Sequence, residues 1–174
     1  MWVDQFGDTY ATFLVHNPSF HKEHWPLESK EARAQFTADL IDAGASCSRS
    51  VLEELTQRLV TKAIIKKLRK ETHLRVGRYG DSYYLNLMDD AWETIRINAE
   101  GWEIVPNPPI VFVRSGTAKP LPSPVRGGSL AMIDELIRVQ HIQDRHVIVS
   151  WLLNALFPTG GYPILLLTGE QGSA

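Results

Sequence analysis

The residues best placed to do chemistry stand at the end of the sequence. Pro163-Ile164-Leu165-Leu166-Leu167-Thr168 is an unbroken aliphatic run, of the length and type of a strand covered on both faces in a parallel sheet. Gly169-Glu170-Gln171-Gly172-Ser173-Ala174 follows it directly. In the pattern G-x-x-x-x-G-K-[ST], backbone amides wrap the phosphates, the lysine reaches the terminal ones and the hydroxyl holds Mg²⁺. Gly169 to Ala174 fits the first six positions, with Ala174 where the second glycine stands. The lysine and hydroxyl positions would come next, so the chain is expected to be cut inside the loop. By itself it should not hydrolyse a nucleotide, because it lacks the cationic anchor and the metal-holding hydroxyl. A plain tail behind a core strand is the alternative reading.

A second group of residues is basic. From Cys47 to Gly80 nine Lys or Arg face three acids, whereas Asp81 to Glu103 carries six acids and only Arg96. Arg58, Lys62, Lys66, Lys67, Arg69 and Lys70 fall on or just after a long helical pattern, and such a cluster can meet phosphates with release of counterions. A solvated helix face reads the same way, and lysines in a last turn also suit the helix dipole.

Other candidates carry less. His16, His21 and His24 with Glu23 suggest a metal site, but their spacing matches no standard zinc pattern and solvated imidazoles explain them. Asp89-Asp90 reads as a turn before it reads as a carboxylate pair. Trp92 and Trp102, read as lying on neighbouring strands, could stack a base, though sheet aromatics usually fill a core. Cys47 has no neighbour placed to activate it.

The elements that must position these groups follow from hydrophobic period. Tyr10 to Val15 reads as a strand after a Gly7-Asp8 turn, with a partner near His24-Trp25. Ser29 caps a first helix whose Ala32, Phe36, Leu40 and Ala43 share a face, and Gly44 sits at its left-handed end. A second helix is expected from about Ser50 to Lys70, opened by the box Ser50-Val51-Leu52-Glu53. Period-two segments from Leu74 to Val113, separated by turns, describe an antiparallel meander of about five strands, with Asn107-Pro108-Pro109 at an edge or crossover. Ser115 to Gly128 is Pro/Gly-rich and reads as an extended linker. Helical patterns at Ser129–Val139 and Asp144–Leu156 lead to the terminal run.

With 174 residues, 44% hydrophobic and 22% charged, the chain suits one domain plus a piece of another. A net charge of −2 argues against coating nucleic acid by bulk charge. The single cysteine excludes an internal disulfide framework, so a reducing compartment is expected. No apolar run approaches a bilayer-spanning length. The expected setting is cytoplasmic, with no membrane partner.

The succession Thr9-Tyr10-Ala11-Thr12, His24-Trp25-Pro26-Leu27-Glu28-Ser29, His73-Leu74-Arg75-Val76, Tyr84-Leu85-Asn86-Leu87, Trp92, Gly101-Trp102, Pro122 to Ser129, Trp151 to Leu156 and Leu167 to Ala174 resembles a family of bacterial ATP-binding proteins. These occur in phage-like and other mobile elements and are often described as primase- or helicase-associated. The resemblance covers most of the chain. It implies the N-terminal part of a P-loop ATPase, with ATP and Mg²⁺ bound by the full-length protein and no cofactor expected in this fragment. It also implies self-association through the ATPase domain.

The expected class is therefore α+β. N-terminal helices should pack on an antiparallel β-meander over residues 1–114, a linker should span 115–128, and 129–174 should begin an α/β P-loop ATPase domain. Two functions follow. The chain is either the DNA-engaging part of a DNA-processing ATPase, single-stranded or duplex, or a non-enzymatic interaction and assembly domain. Salt-dependent DNA binding, removed by charge reversal at Lys62, Lys66 and Lys70, separates them.

Overall fold

A computed structural model describes residues 1–16, 20–137 and 141–169. It is a mixed α+β chain that divides into two compact units, Met1–Leu121 and Pro122–Ala174.

The first unit opens with β1 (Trp2–Val3), β2 (Thr9–His16) and β3 (Phe20–Pro26), an antiparallel sheet in the order β1-β2-β3. Register pairs Trp2 with Tyr10, Thr12 with His24 and Ala11 with Trp25. Alternation then sends Tyr10, Thr12, His24 and Lys22 to one face and Ala11, Phe13, Trp25 and Glu23 to the other.

Helices cover the second face. α1 (Lys30–Asp42) starts at Ser29, whose hydroxyl accepts from Ala32 N at 3.1 Å, a cap worth about 1 kcal/mol. It ends at Gly44 with φ +69°, a conformation that glycine adopts without a Cβ penalty. α2 (Arg49–Lys66) is capped by Ser48, not Ser50, and closes at Lys67 with φ +52°. Val3, Ala11, Leu27, Ala32, Phe36 and Ala63 form one core cluster. The helices thus pack on the N-terminal sheet rather than on the meander. The physical reason is that Val3, Ala11 and Phe13 give this sheet an apolar face able to receive the Ala32, Phe36 and Ala63 stripe.

The meander has four strands, not five. β5 (Val76–Tyr79), β6 (Ser82–Asn86), β7 (Thr94–Asn98) and β8 (Gly101–Val105) pair antiparallel in sequence order. The fifth segment, β9 (Val111–Phe112), instead runs parallel to β4 (Thr72–His73). Pro106, Pro108 and Pro109 remove ladder donors after β8, so the chain leaves the sheet there and returns elsewhere. At the crossing, a Cβ added to Gly77 would run into Ile110 Cδ1, which explains glycine at that point. Trp2, Tyr10 and Val113 make a second core cluster on the face of the N-terminal sheet away from the helices. Lys119 O and Leu121 N are hydrogen-bonded back to Arg75 and Leu87, so the early part of the Pro/Gly-rich stretch belongs to this unit.

The second unit contains α3 (Met132–Leu136) and α4 (Ile142–Asn154). Ile148, 3% exposed, is the buried residue of α4, and Arg145 Nε donates to Asp134 Oδ1 at 2.7 Å. The expected terminal strand is absent. Residues 163–169 carry no strand, Ile164 is 94% exposed and Leu166 is 80% exposed. A strand of this type is held by ladder neighbours on both sides, and among the described residues this unit offers none. Of the expected phosphate loop, Gly169 has no regular structure, and Glu170, Gln171, Gly172, Ser173 and Ala174 lie outside the described residues.

Candidate nucleic-acid interface

The second helix is shorter than its sequence pattern, and this rearranges the basic residues. The turn after Lys67 pairs with β1: Val3 N donates to Leu68 O at 2.9 Å, and Lys70 N donates to Val3 O at 3.0 Å. Lys62 and Lys66 therefore stay on the helix, Lys67 ends it, and Arg69 and Lys70 lie alongside β1. Arg58, one turn before Lys62, is paired on the exposed helix surface, its Nη2 2.5 Å from Glu54 Oε1. Lys62, Lys66 and Lys70 gather near the start of the chain. Burial lowers the pKa of the Met1 amine, and Lys66, Lys70 and Lys62 lower it further.

Lys70 leads from that turn to the face of the N-terminal sheet away from the helices. Its Nζ lies 5.4 Å from the Trp2 ring centre, a cation–π contact. Trp2 is 1% exposed, stacks on Tyr10 at 4.7 Å and meets His24 edge-on at 5.9 Å. His24 is 8% exposed, and its pKa is lowered to about 4, first by burial and then by the charges of Lys70 and Lys22. Burial and then Lys22 lower the pKa of Lys70 as well. Lys22 thus joins the basic group from β3, across a long separation in sequence.

Lys22 and His24 line a small cleft of about 20 Å³, closed by Trp92, Asn107, Ile110 and Phe112. Its wall is fixed by an unusual loop between β6 and β7. Met88 and Trp92 both adopt positive φ, +60° and +55°, although neither is glycine and both are buried. Such conformations cost on the order of 1–3 kcal/mol each and persist only where the surroundings impose them. Here Asn86 Oδ1 accepts from Met88 N at 2.9 Å, Asp89 Oδ1 accepts from Glu93 N at 2.8 Å, and Asp89 O accepts from Trp92 N at 3.2 Å. Arg114 lies over the Trp92 ring at 4.1 Å and donates to Asp89 O. Burial lowers the Arg114 pKa against the raising charges of Glu23, Asp89 and Asp90, and its Nε is buried without a partner.

The weaker candidates fall into place. Asp89 closes the loop, as the turn reading expects, with its Oδ1 accepting from Glu93 N. Trp92 sits in that loop and not on a strand beside Trp102, so the two do not form a stacking platform. His21 and His24 point to opposite faces of β3 by alternation, and His21 Nε2 lies 3.1 Å from Glu23 Oε1. Among the described residues no group of three His, Cys, Asp or Glu could hold a metal ion.

Sequence reasoning missed Trp2, Lys22 and Asn107 as parts of this face. Period-two alternation could have placed Lys22 beside His24, but nothing local signals their approach to Lys70. No helix among the described residues is long and apolar enough to cross a membrane. Comparison with family profiles, curated proteins and solved structures found no match for this chain.

Proposed function

We propose that the first unit is the nucleic-acid-contacting module of an ATP-dependent DNA-processing P-loop ATPase of the helicase- or primase-associated kind. The observation that carries this reading is the convergence of Lys62, Lys66 and Lys70 with Lys22 around the Trp2 edge of the N-terminal sheet. Cations that run from a helix (Lys62, Lys66) through a turn (Lys70) to a strand (Lys22) suit a phosphate backbone, which binds by charge without reading sequence.

Gly169 to Ala174 is assigned to the phosphate loop of that ATPase. The exposed Ile164 and Leu166 on one side of the run and Leu167 on the other support this, since an aliphatic run in a parallel sheet is covered on both faces. These six residues do not complete a site for ATP and Mg²⁺, because they hold neither the lysine nor the hydroxyl of the seventh and eighth motif positions. No catalytic step is assigned to them.

The test is binding of a labelled single strand and a duplex at low and moderate salt. Binding should weaken steeply with salt and vanish on joint charge reversal of Lys62, Lys66 and Lys70. Binding that is absent, or indifferent to those changes, overturns the reading. A second reading, a non-enzymatic interaction or assembly domain, is favoured by Ile64, Ile65 and Leu68, which stand 56%, 72% and 51% exposed among the lysines. It expects no DNA affinity and a protein partner sensitive to Ile65→Asp.

A further inference from the structure

The hydrogen bonds around His24 fix which edge of its ring the cleft receives. Trp2 Nε1 is a donor only, and it donates to Thr12 Oγ1 at 2.9 Å. The Thr12 hydroxyl stands 3.0 Å from His24 Nδ1. The Trp2 and Thr12 protons both find acceptors when Thr12 donates to Nδ1, which places the ring's single proton on Nε2. With a pKa near 4 the ring is neutral at pH 7, so it offers one N–H and no charge. Nδ1 is tied to the sheet, leaving the Nε2 edge for the cleft, and among the described residues no partner meets Nε2.

The rest of the cleft agrees with a small acceptor. Lys22, exposed on the same face of β3, supplies a cation. Asn107 Nδ2 donates to Phe20 O at 3.4 Å and so ties the 106–110 turn to β3 across the opening. Trp92, held at positive φ by its loop, closes the cleft with Ile110 and Phe112. About 20 Å³ is room for one water-sized group and far too little for a base.

We propose that this cleft is a phosphate subsite, in which the Lys22 ammonium and the His24 Nε2–H receive a single phosphate oxygen of a nucleic-acid strand. The proposal rests on the nucleic-acid reading above and adds where one phosphate sits and why no base is read there. A strand lying on Lys66 and Lys70 would continue past Trp2 to Lys22, with the cleft as a fixed point along its backbone.

The experiment uses the whole chain and inorganic phosphate as probe. Titration at constant ionic strength, followed by ¹H–¹⁵N spectra of the His24 imidazole and the Trp92 indole, should give a saturable shift that Lys22→Gln abolishes. The same variant should lower the salt slope of single-strand binding by about one. No saturable shift, or an equal shift in Lys22→Gln, overturns the subsite. Oligonucleotide binding with a silent cleft overturns this inference and leaves the nucleic-acid reading standing. A phosphate response without oligonucleotide binding keeps the oxyanion site and overturns the strand as its source.

Discussion

Lys70 Nζ stands 5.4 Å from the centre of the Trp2 ring, and this contact joins the basic turn after α2 to the face of the N-terminal sheet away from the helices. Trp2 is buried from below by Tyr10 and Val113 and tied to Thr12 through its indole N–H. The ring is a rigid platform on which a cation is held close to His24 and Lys22.

Trp2→Ala should destabilise the first unit by about 3–5 kcal/mol, because it removes a nearly fully buried ring and leaves a cavity beside Tyr10 and His24. Lys70→Gln should cost no more than about 1 kcal/mol, the scale of one cation–π contact at a partly exposed site. Urea denaturation of the two variants measures the difference. Equal losses would refute the division into platform and displayed cation.

Acid should destabilise the fold through His24. The ring titrates at 6.5 when unfolded and at about 4 in the folded chain, so between those values the unfolded state binds more protons. Its contribution is fully present above about pH 6.5 and is lost as pH falls to about 4, on the order of 3 kcal/mol in all. Denaturation midpoints measured across this window should fall with acidity in the native chain. In His24→Asn the slope should be flatter.

Gly77→Ala should destabilise by about 1–3 kcal/mol, since the added methyl meets Ile110 Cδ1 and the His73 ring where the meander passes the returning chain. Gly116→Ala, where an added Cβ meets open space and φ is not positive, is the matched control and should stay within about 0.5 kcal/mol. Thermal unfolding of both variants decides this.

Leu166→Asp should leave the thermal midpoint unchanged and reduce self-association at high concentration. Leu166 is 80% exposed, so its replacement removes no internal packing, while the aliphatic run is a surface open to association. Light scattering against protein concentration checks it. A fall in the midpoint would mean that the run is packed.

Local signals in the sequence determined the elements. Ser29 and Gly44 bound α1 because capping and left-handed termination depend on adjacent residues. The alternation of β2 with β3, and the turns of the β5–β8 meander, were legible for the same reason. The mixed α+β class follows from those periods alone.

Relationships between residues far apart in sequence were decided by tertiary structure. The α2 pattern reads as continuous to Lys70, yet β1 takes the backbone of Leu68 and Lys70, and the helix ends early. Period two cannot tell a fifth antiparallel strand from a segment that crosses back to pair parallel with Thr72–His73. The cleft combines Lys22, Trp92 and Asn107, whose meeting depends on two positive-φ residues and on the path after Pro106. Such approaches arise from packing one sheet between helices and returning strands, and no local propensity encodes them.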